Sequence, residues 1–84
     1  MTISVRLFAS LRDRAGQSEW SANLPDGAGV HELLNELSRS FPSIADRLPL
    51  ARIVVNDEYV TSDALLLPGD CVALIPPVSG GNDV

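Results

Sequence analysis

Val30-His31-Glu32-Leu33-Leu34-Asn35-Glu36-Leu37-Ser38-Arg39-Ser40-Phe41 places its apolar side chains at Val30, Leu33, Leu34, Leu37 and Phe41. That is the i, i+3, i+4, i+7, i+11 spacing of one helical stripe. Glu32, Asn35, Glu36 and Arg39 fill the opposite face. Gly29 is an acceptable though not the best N-cap, and Pro42 forbids continuation because it has no N–H to donate. A strongly amphipathic helix of about 12 residues, set in a chain of 84, has to bury its stripe against something flat.

The flanking segments supply that surface. Ile3-Ser4-Val5-Arg6-Leu7-Phe8 alternates, with Ile3, Val5 and Leu7 on one side and Ser4, Arg6 and Phe8 on the other, the period of a half-buried strand. Arg12 to Gly16 is small and polar, a loop or a single helical turn. Ser18 to Leu24 forms a second strand with Trp20, Ala22 and Leu24 sharing a face, and Pro25-Asp26-Gly27 is a turn. Beyond the helix, Ile44 to Leu48 adds a further helical turn before Pro49. Ala51 to Val55 is β-branched and apolar, a third strand, and Asn56-Asp57 makes a tight turn into a short fourth strand at Glu58-Tyr59-Val60. Pro68-Gly69-Asp70 is another turn, and Cys71 to Ile75 is the last strand, ended by Pro76-Pro77.

Strand, strand, helix, strand, short strand, strand predicts an α+β domain of the ubiquitin-like β-grasp kind. It has a mixed sheet of four or five strands, one main helix on one face, and the first and last strands paired at the centre. The domain spans residues 1–77, and 78–84 form a flexible tail. One helix covers one face only. If Val5 and Val72 point toward it, then Phe8, Cys71, Ala73 and Ile75 point away, joined by Tyr59. An apolar set on an uncovered face is what a binding surface shows.

Composition narrows the function classes. The chain is 45% hydrophobic and 20% charged, with one cysteine, one histidine and a net charge of −5, so a single small globular domain is expected. No apolar run reaches the roughly 20 residues of a membrane span, and no signal-peptide pattern is present, so the expected location is the cytoplasm and no membrane partner is expected. Cys71 alone cannot close an internal disulfide. With a single His beside it, neither a protein-built metal site nor a bound cofactor is expected. The chain has no lysine, and its arginines are scattered, which argues against nucleic acid; an acidic surface suits a basic protein partner. There is no Cys-His pair at motif spacing, no phosphate loop, and no HExxH or CxxC. His31 is expected to be solvated and Cys71 to be a strand residue. The chain is read as having no self-sufficient catalytic apparatus.

The tail is the distinctive segment. In Ile75-Pro76-Pro77-Val78-Ser79-Gly80-Gly81 the prolines hold the chain extended and the glycines remove side chains from the tip, a shape fitted to a narrow site on another protein. Pro76 to Gly81 can reach about 20 Å.

Leu7-Phe8-Ala9-Ser10-Leu11-Arg12, Val54-Val55-Asn56-Asp57, Pro68-Gly69-Asp70-Cys71-Val72-Ala73 and the Pro76-Pro77-Val78-Ser79-Gly80-Gly81 ending resemble the molybdopterin synthase small subunit family, from Ile3 to Gly81. The resemblance implies a sulfur carrier for molybdenum cofactor synthesis. An adenylating enzyme of the ubiquitin-activating type would use ATP on the Gly81 carboxylate. A sulfur donor would make the thiocarboxylate, and the tail, with Gly80 beside its reactive end, would enter the large synthase subunit to deliver sulfur to a precursor pterin. Phe8, Tyr59 and Ile75, with Pro76, Pro77, Val78 and Ser79, fall at partner-contact positions. One departure stands out: Asn82-Asp83-Val84 follow Gly81, and a peptide-bonded Gly81 has no carboxylate to activate. Trimming by a protease is the leading explanation, beside an appended extension or a paralogue that only binds the large subunit. A carrier for thiamine, cysteine or tRNA thiolation, and a ubiquitin-like binding module without sulfur chemistry, are the rival readings.

Overall fold

The alternation near the N-terminus becomes strand β1 (Thr2–Leu7), in which Ile3, Val5 and Leu7 are buried and their neighbours exposed. The computed structural model describes residues 1–77. A hairpin-like return brings β2 (Glu19–Asn23) antiparallel to β1, pairing Ile3 with Ala22 and Val5 with Trp20. Helix α2 (Val30–Ser40) then crosses over, followed by two single 3₁₀ turns at Pro42–Ile44 and Leu48–Leu50. The chain re-enters the sheet as β3 (Arg52–Val55), β4 (Glu58–Val60) and β5 (Cys71–Ile75). The five strands lie in the order β2-β1-β5-β3-β4, with β1 and β5 parallel and the other pairs antiparallel. This is the α+β, mixed-sheet β-grasp arrangement read from the sequence, with the first and last strands adjacent.

The apolar stripe of α2 meets the sheet as its spacing requires. Val30, Leu33 and Leu37 are fully buried against Ile3, Val5, Val72 and Leu74. Phe41, the last residue of the predicted stripe, lies just past the helix, where its ring meets Trp20 edge-on at 5.3 Å. The helix start is better capped than a glycine alone would provide. The Gly29 N–H donates to Glu32 Oε1 at 2.7 Å, the reciprocal half of a capping box. That bond, followed by Glu32's own backbone N–H, holds the Glu32 carboxyl below its usual value. Gly29 is also required sterically, since a Cβ there would lie 2.8 Å from the Ala64 carbonyl oxygen.

One element was under-read. The segment taken as a loop or single turn is a second helix, α1 (Ala9–Ala15), ending at Gly16 with φ +82 and the Gly16 N–H on the Arg12 carbonyl. It buries Leu11 completely in the common core, and the Ser43 hydroxyl donates to its Arg14 carbonyl at 2.9 Å. In seven residues a helix offers only one full apolar position, too few for periodicity to register. For the same reason Phe8 is not on β1. It is the extended residue that caps α1, with φ −119 and ψ 153.

Candidate functional site: the open sheet face and the root of the tail

Because side chains alternate along each strand, the strand positions between the core residues point away from α2. The register brings them into rows: Ser4 lies beside Cys71, Arg6 beside Ala73, Val54 between Ala73 and Tyr59, and Arg52 beside Ile75. A cavity of about 640 Å³ opens on this face, lined among others by Ser4, Phe8, Val54, Asn56, Cys71 and Ala73. On its β2 side Arg6 and Glu19 form an exposed ion pair at 3.3 Å. Small and apolar side chains lie at the centre with charges at the margin, the pattern that protein interfaces share.

The tail leaves at one end of this face. Strand β5 ends at Ile75, half-buried, followed by half-buried Pro76 and exposed Pro77. Prolines here cost no sheet hydrogen bonds and cannot extend the strand. Phe8 is held at the same end, its N–H donating to the Leu74 carbonyl at 3.3 Å, with its ring 41% exposed. On the other flank Tyr59 is 69% exposed, and the Arg52 guanidinium lies 5.9 Å from its ring centroid.

The opposite end of the face is fastened by Asn56 and Asp70. Asn56 and Asp57 both have positive φ, +49 and +71, the conformation of a two-residue I′ hairpin turn, which Asn and Asp tolerate better than most residues. The Asn56 side chain donates to Asp70 Oδ1 at 2.9 Å and accepts the Cys71 N–H at 3.0 Å, while Asp70 Oδ2 accepts the Leu67 N–H at 2.8 Å. The two side chains thus tie the β3–β4 turn to the start of β5. Asp70, read from the sequence as part of a turn, is an internal fastener. The spacing of Val54-Val55-Asn56-Asp57 and Pro68-Gly69-Asp70 held that signal, but pairing them needs the tertiary fold.

The predicted contact residues are distributed unevenly. Phe8 lines the open-face cavity; Ile75, Pro76 and Pro77 mark the root of the tail. Tyr59 shares a face with Val54 by register, yet it lines a second groove of about 590 Å³ over the β3–β4 edge, floored by Leu34, Leu48, Ile53 and Val60. His31 is exposed and lines that groove as well. Val78, Ser79, Gly80 and Gly81 lie outside the described residues. Among the described residues, no three of His, Cys, Asp and Glu gather as metal ligands, and no helix is long and apolar enough to cross a membrane.

A family model described as the ThiS family matches residues 5–81, from the first core valine through the diglycine. The chain belongs to that family. It is 35% identical over 79 residues to the molybdopterin synthase sulfur carrier subunit of Arabidopsis thaliana, covering 94% of this chain and 82% of that protein. Among solved structures, SAMP1 of Haloferax volcanii superposes with a TM-score of 0.89 at 27% identity, covering 96% of this chain and 100% of that one. A complex of subunits 1 and 2 of the molybdopterin-converting factor of Helicobacter pylori aligns with a TM-score of 0.67 at 23% identity, covering 96% and 100%, a likeness of fold.

Proposed function

We propose that this chain is the sulfur carrier subunit of a molybdopterin synthase, working through its C-terminal diglycine. One observation carries the reading: a family match that runs through Gly81 joins a fold whose open sheet face has the point where that segment departs at one end. The likeness to sulfur carrier subunits of this synthase names the pathway.

On this reading the Gly81 carboxylate, freed by removal of Asn82-Asp83-Val84, attacks the α-phosphorus of ATP on an adenylating enzyme and releases pyrophosphate. Sulfide-level sulfur, HS⁻ delivered by a donor, then attacks the acyl carbon and displaces AMP, leaving a thiocarboxylate and a released proton. Adenylation turns a poor leaving oxygen into a good one, and the sulfur so installed is ionised and nucleophilic near neutral pH. The diglycine tip then enters the large synthase subunit, where the sulfur passes to the precursor pterin. This chain contributes reach, a tip without side chains, and docking by Phe8, Tyr59, Ile75, Pro76 and Pro77, with Val78 and Ser79 continuing the contact. The acid, base and phosphate-binding groups belong to the partners, ATP is consumed there, and this chain holds no cofactor of its own. The place of action is the cytoplasm. The absence of lysine leaves the activated tail no ε-amine on a sister molecule to acylate.

A reconstituted assay of adenylating enzyme, sulfur donor and large subunit tests this. Deletion of Gly81 from the chain ending there is expected to abolish thiocarboxylate formation and pterin sulfuration; unchanged sulfur transfer would sink the reading. A second reading, a modifier role outside this synthase, draws on the likeness to SAMP1. It would be favoured if the activated tail transferred to lysines of added proteins and not to the pterin.

A further inference from the structure

The arginines of this chain divide sharply. Arg6, Arg12, Arg39 and Arg47 each lie beside a carboxylate: Glu19, Asp13, Glu36 and Asp46 respectively. Arg14 donates to the Ser43 carbonyl. Arg52 has no carboxylate or carbonyl partner among the described residues. It stands exposed beside Ile75, the last strand residue before the tail, and its guanidinium is held over the exposed Tyr59 ring. An arginine stacked on an aromatic keeps all its donors free and has less rotamer freedom to lose when a carboxylate arrives. At the far end of β3 the sign reverses. Asp57 and Glu58 are exposed, with no arginine within ion-pair distance among the described residues. Strand β3 runs about 10 Å from Arg52 to Val55, and Asp57 sits in the turn just beyond it.

We infer that Arg52 is the orientation-setting contact of this surface. It pairs with an acidic side chain at the mouth of the site that takes the tail, on a partner that is otherwise basic where it meets Asp57. This rests on the carrier reading and specifies the partner's surface. A chain of net charge −5 attracts basic surfaces in many orientations, and attraction alone does not aim a tail. One positive mark at the tail root and a negative one, Asp57, in the turn beyond the far end of β3, more than about 10 Å away, match a complementary partner in a single orientation, since like charges brought together in the reversed pose repel. Tyr59 acts through Arg52 by holding its plane.

The test measures binding of the chain ending at Gly81, which keeps every element of the fold, to the purified large synthase subunit at low and physiological salt. Arg52→Glu is expected to weaken binding about 10- to 100-fold at both salt concentrations, mostly through faster dissociation, because the new carboxylate faces the partner's acidic side chain. Arg52→Lys, which keeps the charge but loses the planar stack, should fall between that variant and wild type. Arg52→Gln serves as a milder second variant, and an unchanged unfolding midpoint in each shows that the fold is intact. Wild-type binding with Arg52→Glu within threefold of it, at both salt concentrations, would overturn this inference and leave the carrier reading standing. Failure of the wild-type chain to bind at all would overturn both.

Discussion

The two faces of one sheet are made from alternate residues of the same strands, yet they hold opposite kinds of chemistry. On the covered face Ile3, Val5, Leu7, Val72 and Leu74 are at most 2% exposed and lock onto Val30, Leu33 and Leu37 of α2. On the open face Ser4, Arg6, Cys71, Ala73 and Ile75 interleave with them in the same register. Their neighbours in space are a cavity and the root of the tail. Burial puts stability on the first face, and the proposed function puts recognition on the second, so a substitution's effect should depend on its parity along the strand more than on its size.

Leu33→Ala, on the covered side, is expected to cause the largest loss, about 2–5 kcal/mol, because it removes a fully buried side chain and leaves a cavity. Denaturant unfolding measures it. A loss below about 1 kcal/mol would break the comparison by showing that the core is not where the stability resides. Phe8→Ala should do the reverse. With the ring 41% exposed, the unfolding free energy should change by about 1 kcal/mol or less, while affinity for the large subunit falls tenfold or more. Equal losses of stability and binding would make Phe8 a core residue rather than a contact.

Asp70→Ala should cost about 0.5–1.5 kcal/mol, since it removes the acceptor of the exposed Leu67 N–H and unties Asn56 at the start of β5. A smaller, pH-dependent effect comes from Glu32. Its carboxyl is held below its usual value by the Gly29 N–H and then its own backbone N–H. Its contribution to stability is therefore present above the unfolded-state value and lost as pH falls through the lower folded one. The gap in thermal midpoint between wild type and Glu32→Ala should shrink as pH is lowered through the carboxylate range. A gap that stays constant would show that the cap works through geometry alone.

Much of this was legible in the sequence, for physical reasons that can be named. The α2 stripe and the alternation of Ile3, Val5 and Leu7 are long enough to show their periods, and strand order then followed from connection rules. Helix α1 was hidden because it buries only Leu11, although Gly16 carried a readable stop signal. The role of Gly29 was half seen. Its cap could be guessed, but the approach of the Ala64 carbonyl could not, because that contact joins segments 35 residues apart in sequence. The Asn56–Asp70 tie was invisible for the same reason. At the site, Ile75 was read by alternation and resemblance and Phe8 by resemblance, since the alternation of β1 stops at Leu7, whereas Arg52 was passed over. Its isolation from carboxylates appears only when every other arginine's partner is known.

The central claim is that this fold exists to present Gly81 for activation, and the intact mass of the protein recovered from its native cells during active cofactor synthesis tests it most directly. The account predicts a species ending at Gly81 in which one carboxylate oxygen is replaced by sulfur. A chain that retains Asn82-Asp83-Val84, with no sulfur added, while the cofactor is being made would contradict it.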